Sequence, residues 1–239
     1  MCGRYTLTTP MEELVEVFDV PEPDFPWKPR YNIAPTQDAP VLARDRHGTR
    51  IGLLRWGLVP FWADDPRIGN RMINARAETL DRKPAFKYAF QARRCLVLAD
   101  GFYEWRREGT RKQPVWIHDP EGRPLTFAGL WECWERGPEP LYTFTIVTTE
   151  PCEAVRPVHD RMPAVLDGEA REAWLDREAD PERLKALLGP YRGPLDLRPV
   201  STLVNSPANE GPELLDPAPE PGAADPVASP PADGAHGAD

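Results

Sequence analysis

The spacing of short apolar runs constrains this chain more than any other feature. Runs at residues 41–44, 51–56, 95–99, 114–118, 125–131 and 142–148 all have strand length. They are not separated by helices in the regular alternation that parallel βαβ units need, so the pairing they specify is largely antiparallel and the class is α+β. A further short strand is expected at 164–166. The first two runs are joined by the polar turn Asp45-Arg46-His47-Gly48.

Helices are few. Thr9 as N-cap, Pro10 at the first helical position and Glu12 at the third spell a capping box. Met11, Leu14, Val15 and Phe18 then form one apolar stripe. A helical stretch is expected around 85–92, and Ala170, Ala173 and Trp174 mark another. Asp180 caps a last one, with Pro181 leading, Leu184, Leu187 and Leu188 inward, and Gly189-Pro190 as its stop. The proline-rich run from Pro21 to Pro26 opens a segment that reads as irregular through Gln37. One domain is expected over 1–215. From Pro207 onward eight prolines, acids and small residues cannot build a core, which makes 216–239 an acidic, disordered tail.

The net charge of −9 argues against nucleic acid until it is divided along the chain. Residues 201–239 hold seven acids and no Lys or Arg, whereas 67–112 hold twelve Lys/Arg against five Asp/Glu. A basic stretch on a nearly neutral body suits a phosphate backbone, or equally a solvated surface of arginines. Four widely spaced cysteines (Cys2, Cys95, Cys133, Cys152) give neither a zinc pattern nor a disulfide framework, and a reducing cytoplasm is the simplest compartment. No apolar run has the length of a membrane span, and the N-terminus lacks a signal-peptide pattern.

Cys2 is the unusual chemical position. Removal of Met1 would leave a free amine beside a thiol, a pair that no internal cysteine has. An aldehyde can form an imine with the amine and then take the thiol, closing a five-membered thiazolidine. The plainer reading is a small buried residue starting a strand. Glu104, between Tyr103 and Trp105, would be desolvated and raised in pKa if it faces inward, or be an ordinary outward residue of an alternating strand. His159 sits in a loop with Asp160 and Arg161, where it can move protons near neutrality or simply hold structure. Asn74 and Arg76 alternate on an extended segment and point the same way.

Six blocks occur in order: Met1-Cys2-Gly3-Arg4, Tyr31-Asn32-Ile33-Ala34-Pro35-Thr36, Trp56-Gly57-Leu58-Val59-Pro60, Ile73 through Thr79, Gly101-Phe102-Tyr103-Glu104-Trp105 and His159-Asp160-Arg161-Met162-Pro163. The series closely resembles the SRAP family, the SOS-response-associated peptidase-like proteins. The likeness runs to Val204-Asn205 and on to Glu213-Leu214, leaving out only the tail. It implies a compact domain with a β-barrel-like core flanked by helices, acting as a monomer without metal or cofactor. It also implies covalent capture of abasic sites in single-stranded DNA, in the cytoplasm and on the nucleoid when DNA is bound. Carried over, Cys2 would be the crosslinking nucleophile, Glu104 the acid–base group, His159 its partner histidine and Asn74 the orienting asparagine. Arg76 and Trp105 would contact DNA, with Arg4, Trp62 and Arg161 as further contacts. Two other functions use the same residues: a cysteine peptidase built on Cys2, His159 and Glu104, and a noncovalent reader of modified bases.

Overall fold

Each of the six apolar runs lies within a strand, because β-branched and aromatic side chains fit a pleat with one or both faces buried. The computed structural model describes residues 2–218. In chain order the strands are β1 (Tyr5–Leu7), β2 (Arg30–Ile33), β3 (Asp38–Asp45), β4 (Gly48–Trp56), β5 (Asn74–Arg76), β6 (Arg94–Ala99), β7 (Gly101–Glu108), β8 (Arg111–His118), β9 (Leu125–Trp134), β10 (Leu141–Thr149), β11 (Met162–Pro163) and β12 (Asp196–Pro199). The α-helices are α1 (Met11–Phe18), α2 (Lys87–Ala92), α3 (Gly168–Leu175) and α4 (Pro181–Ala186).

Strand pairing closes a barrel. β10 pairs β4, β4 pairs β3, β3 pairs β6, β6 pairs β9, and β9 returns to β10. Only the β10 contacts with β4 and β5 are parallel, so the antiparallel expectation holds. All six residues of β6 are buried, which explains the unbroken apolar run Cys95–Ala99 that follows Arg94. A second sheet, ordered β12-β8-β7-β1-β2, lies against the barrel. Aromatic edges fill the seam: Tyr5 meets Trp56 with ring centroids 5.2 Å apart, and Phe102 meets Phe127 at 5.8 Å. Gly101 lets β8 come close, since a Cβ there would meet Trp116 Nε1 at 2.5 Å and the Ile117 carbonyl oxygen at 2.7 Å.

Several local expectations change. The capping box is not made: α1 starts at Met11 without a side-chain cap. Thr9 and Thr8 instead donate to the Asp100 carboxylate through backbone and hydroxyl alike, so tertiary acceptors win over the local one. The apolar stripe itself holds, with Leu14 buried and Met11, Val15 and Phe18 packed on the core. The segment read as irregular contains β2, stabilised by pairing with β1. The short strand near 164–166 is β11, two residues earlier, with Val165 kept as an isolated bridge to Phe127. β12 has no apolar periodicity of its own and forms only because β8 offers an edge. Of the expected tail, Pro217 bridges Val200 and Ala218 N–H donates to the Pro199 carbonyl. The rest of that stretch, 219–239, lies outside the described residues, as does Met1.

Candidate functional site

Strand alternation on β7 decides what each of its residues meets. Phe102 points to the main core, whereas Tyr103 and Trp105 pack on the other side with Val200 and Val204. Glu104 shares the face of Phe102 and is only 3% exposed, so the outward reading fails. β1 runs antiparallel beside it, with Tyr5 opposite Phe102 and Tyr103 N–H donating to the Arg4 carbonyl at 3.0 Å. The Thr8–Thr9–Asp100 bonds hold this short strand in register. The ladder ends before Gly3, and Cys2 turns into the main core cluster, fully buried. Its Sγ lies 3.9 Å from the Arg4 carbonyl oxygen.

His159 arrives from the barrel side. It sits on the turn closed by Val155, which leads into β11, and its Nε2 stands 3.8 Å from Glu104 Oε2. Its Nδ1 accepts from the Arg161 backbone N–H at 3.0 Å, which leaves the proton of a neutral ring on Nε2, toward Glu104. Asp160 Oδ1 is also 3.0 Å from Nδ1, so in the charged ring Nδ1–H donates to that carboxylate in place of the bond from Arg161.

Desolvation tunes all three groups. Burial raises the Glu104 carboxyl to about 7, the range where an acid can both give and take a proton. Burial, followed by the charge of Glu104, pushes the Cys2 thiol far above its ordinary value. Burial lowers His159 below the usual imidazole range. The seam between sheet and barrel therefore holds a protonated thiol, a near-neutral carboxyl and a neutral imidazole. Among the described residues no three His, Cys, Asp or Glu side chains gather as a metal site.

The other expected residues divide by what they already hold. Arg4 is committed: Nη1 donates to Asn32 Oδ1 and to the Val204 carbonyl, each at 2.7 Å, and its guanidinium lies 5.9 Å from the Trp105 ring centroid. Arg161 is committed too, with both Nη atoms on Glu78 and one on the Thr148 carbonyl at 2.6 Å. Arg76 is exposed and makes no ion pair among the described residues. Asn74 is bound through Nδ2 to the Ile73 carbonyl, while its Oδ1 is buried without a partner. Trp105 is half-buried and donates Nε1 to Asn205 Oδ1 at 2.7 Å. Trp62 is 38% exposed, and no hydrogen bond or ring contact among the described residues joins it to the Cys2 group.

Sequence reasoning gave no role to Asn32 and Glu210. Asn32 is fully buried, and its amide nitrogen bonds the Ser206 and Asn209 carbonyls while its oxygen orients Arg4. Glu210, counted above among the tail-side acids, holds Arg30 at 2.8 Å and accepts from Asn32 N–H at 3.1 Å. The position of Asn32 inside an ordered block was the available signal. The basic stretch 67–112 is also less free than its count suggests. Arg94 is 5% exposed and spends its donors on four carbonyls, and Arg93 pairs with Glu132.

A family model described as SOS response associated peptidase (SRAP) matches residues 1–207. The chain belongs to the SRAP family. Its relatives include the abasic site processing protein YoqW of Bacillus subtilis, 44% identical over 90% of this chain and 99% of that one. The abasic site processing protein HMCES of Gallus gallus is 40% identical, over 80% of this SRAP chain and 67% of its own. A solved structure from Bacteroides thetaiotaomicron superposes with a TM-score of 0.83 at 24% identity, covering 91% of this chain and all of that one, and shows the shared fold. A phage-related protein of Bordetella bronchiseptica gives a TM-score of 0.65 at 33% identity, over 84% and 95% of the two chains. No helix among the described residues of this SRAP protein is long and apolar enough to cross a membrane.

Proposed function

We propose that this protein processes abasic sites in DNA, capturing the lesion in single-stranded DNA through Cys2 once Met1 has been removed. The observation that carries the reading is the buried Glu104 carboxyl, raised to about 7, beside His159 and electrostatically coupled to Cys2. Relatives named as abasic site processing proteins support the substrate class.

The ring-opened abasic sugar presents an aldehyde at C1′. The Cys2 α-amine adds to it, and loss of water gives an imine. The thiol then adds across the C=N bond: sulfur bonds to C1′, the thiol proton passes to nitrogen by way of a base, and a thiazolidine closes. Glu104 can donate to the departing hydroxyl and later accept the thiol proton, because its two protonation states are close in energy near neutrality. His159, beside Glu104, assists ring opening, and Asn74 Oδ1 accepts from the sugar. Arg76 is an exposed cation available to a phosphate, and Trp105 offers a ring to a neighbouring base. Arg4 and Arg161 brace these parts through their internal bonds. The family name suggests a peptidase, and the same groups suit one cleavage, self-removal of Met1, which directly precedes the Cys2 thiol.

The test combines intact mass with a denaturing gel. The purified protein is expected to lack Met1 and to form an SDS-resistant adduct with single-stranded DNA carrying one abasic site. A protein that lacks Met1 and forms no adduct overturns crosslinking. A variant acetylated at Cys2 that still forms one overturns the role of the amine.

A further inference from the structure

Beyond Trp105 the β7–β8 hairpin leaves the protein. On one side β1 pairs β7 only at Gly101 and Phe102; on the other, β12 pairs β8 only from Val115 to His118. At its base the hairpin is still tied down, with Val200 N–H donating to the Pro114 carbonyl at 3.0 Å and Gln113 Nε2 to the Val200 carbonyl at 2.8 Å. Residues 107–112 beyond it form a two-stranded ribbon that no third strand flanks, running through register pairs Arg107–Lys112 and Glu108–Arg111. Arg107, Glu108, Arg111 and Lys112 are exposed, so no core explains these residue types.

The two faces of the ribbon carry their charge differently. On the Glu104 face, Arg106 is held by Glu108 at 2.6 Å, and Arg111 stands directly opposite that same glutamate. On the Trp105 face, Arg107 and Lys112 are direct cross-strand neighbours, and neither side chain makes an ion pair or hydrogen bond among the described residues. Like charges in that position, with Cβ atoms about 5 Å apart, repel each other, a cost that an anion between them removes. The pair follows Trp105 on the same face, about 7 Å along the strand at ordinary rise.

We infer that Arg107 and Lys112 form a phosphate-binding subsite, holding the phosphodiester next to the nucleotide whose base stacks on Trp105. The inference rests on the nucleic-acid reading of Trp105 given above and extends it to a contact made by the ribbon. Its partner is a phosphodiester backbone read by charge, without base preference.

The experiment measures the affinity for a single-stranded oligonucleotide between 50 and 300 mM salt, for wild type, Arg107→Gln/Lys112→Gln and Arg111→Gln. Loss of one phosphate contact lowers the slope of log K against log salt by about 0.7 and weakens binding about fivefold at 0.1 M. That change is expected in the double variant, whereas Arg111→Gln, which removes a charge from the opposite face, should alter the slope by less than half as much. A swapped pair, Arg107→Lys/Lys112→Arg, should restore the wild-type slope. An unchanged slope in the double variant, or an equal fall in Arg111→Gln, overturns the subsite while leaving the abasic-site reading standing. Wild-type protein that does not bind the oligonucleotide at all overturns that reading, and the subsite with it.

Discussion

The two halves of β7 are one strand in two solvents. Gly101 to Glu104 are buried, whereas exposure rises from Trp105 until Arg107 and Glu108 stand in water. In the inner half, desolvation moves a carboxyl to about 7, so position in the fold sets its chemistry. In the outer half, charge stays hydrated and acts by attraction alone. The same contrast separates the arginines, since Arg4 and Arg161 are committed to carbonyls and side chains while Arg76 and Arg107 are not. On the proposed function, reactivity would belong to the seam between barrel and sheet, and recognition to the rim.

The sharpest break of that contrast is Cys2→Ala. All adduct should vanish on a denaturing gel, while noncovalent binding of intact single strands stays near wild type; retained binding together with retained adduct would point to another nucleophile. Next is Glu104→Gln, expected to slow adduct formation by ~10²-fold in single-turnover assays. This variant also tests the burial argument through stability. A carboxyl whose value rises from 4.5 unfolded to about 7 folded keeps its proton in the native state across that interval, while the unfolded chain releases one. Wild-type stability should therefore fall from pH 4.5 to 7, by roughly 3 kcal/mol from this group, and then level off. Glu104→Gln should flatten that fall in denaturant titrations at several pH values, and a fall of the same size in the variant would assign it elsewhere.

Smaller effects sharpen the rim. Trp105→Ala should weaken single-strand binding by about 1–3 kcal/mol with little dependence on base sequence, as titration of a labelled oligonucleotide would show. Arg4→Ala and Arg76→Ala should then behave as opposites. Removing Arg4 strips Asn32 Oδ1 and the Val204 carbonyl of a charged donor, at about 1–3 kcal/mol of folding stability. Removing Arg76 should change stability by less than about 0.5 kcal/mol yet weaken binding about fivefold at 0.1 M salt. Equal stability losses in thermal melts would erase the distinction between bracing and contacting arginines.

Much of the site was legible because its residues interrupt apolar contexts in recognisable blocks. Glu104 between two aromatics, and Cys2 at the second position, stand out without a structure. What could not be read is direction. Glu104 faces inward only because Tyr5 pairs Phe102, and Thr9 abandons its capping box only because Asp100 lies within reach. β2 and β12 are similarly invisible, since each is a strand by virtue of a neighbour's edge rather than of its own side chains. The charge count also misled in part: Arg94, among the basic residues of 67–112, is a buried brace.

Local physics settled what a single stretch can settle: the strand-length runs, the apolar stripe of α1, the Asp180 cap of α4, and the set of groups able to do chemistry. Tertiary structure alone settled which strands close the barrel, which arginines are already engaged, and how far burial moves Glu104, His159 and Cys2. The reason is that propensity and periodicity act over a few residues, whereas desolvation and pairing depend on what the rest of the chain brings within a few ångströms.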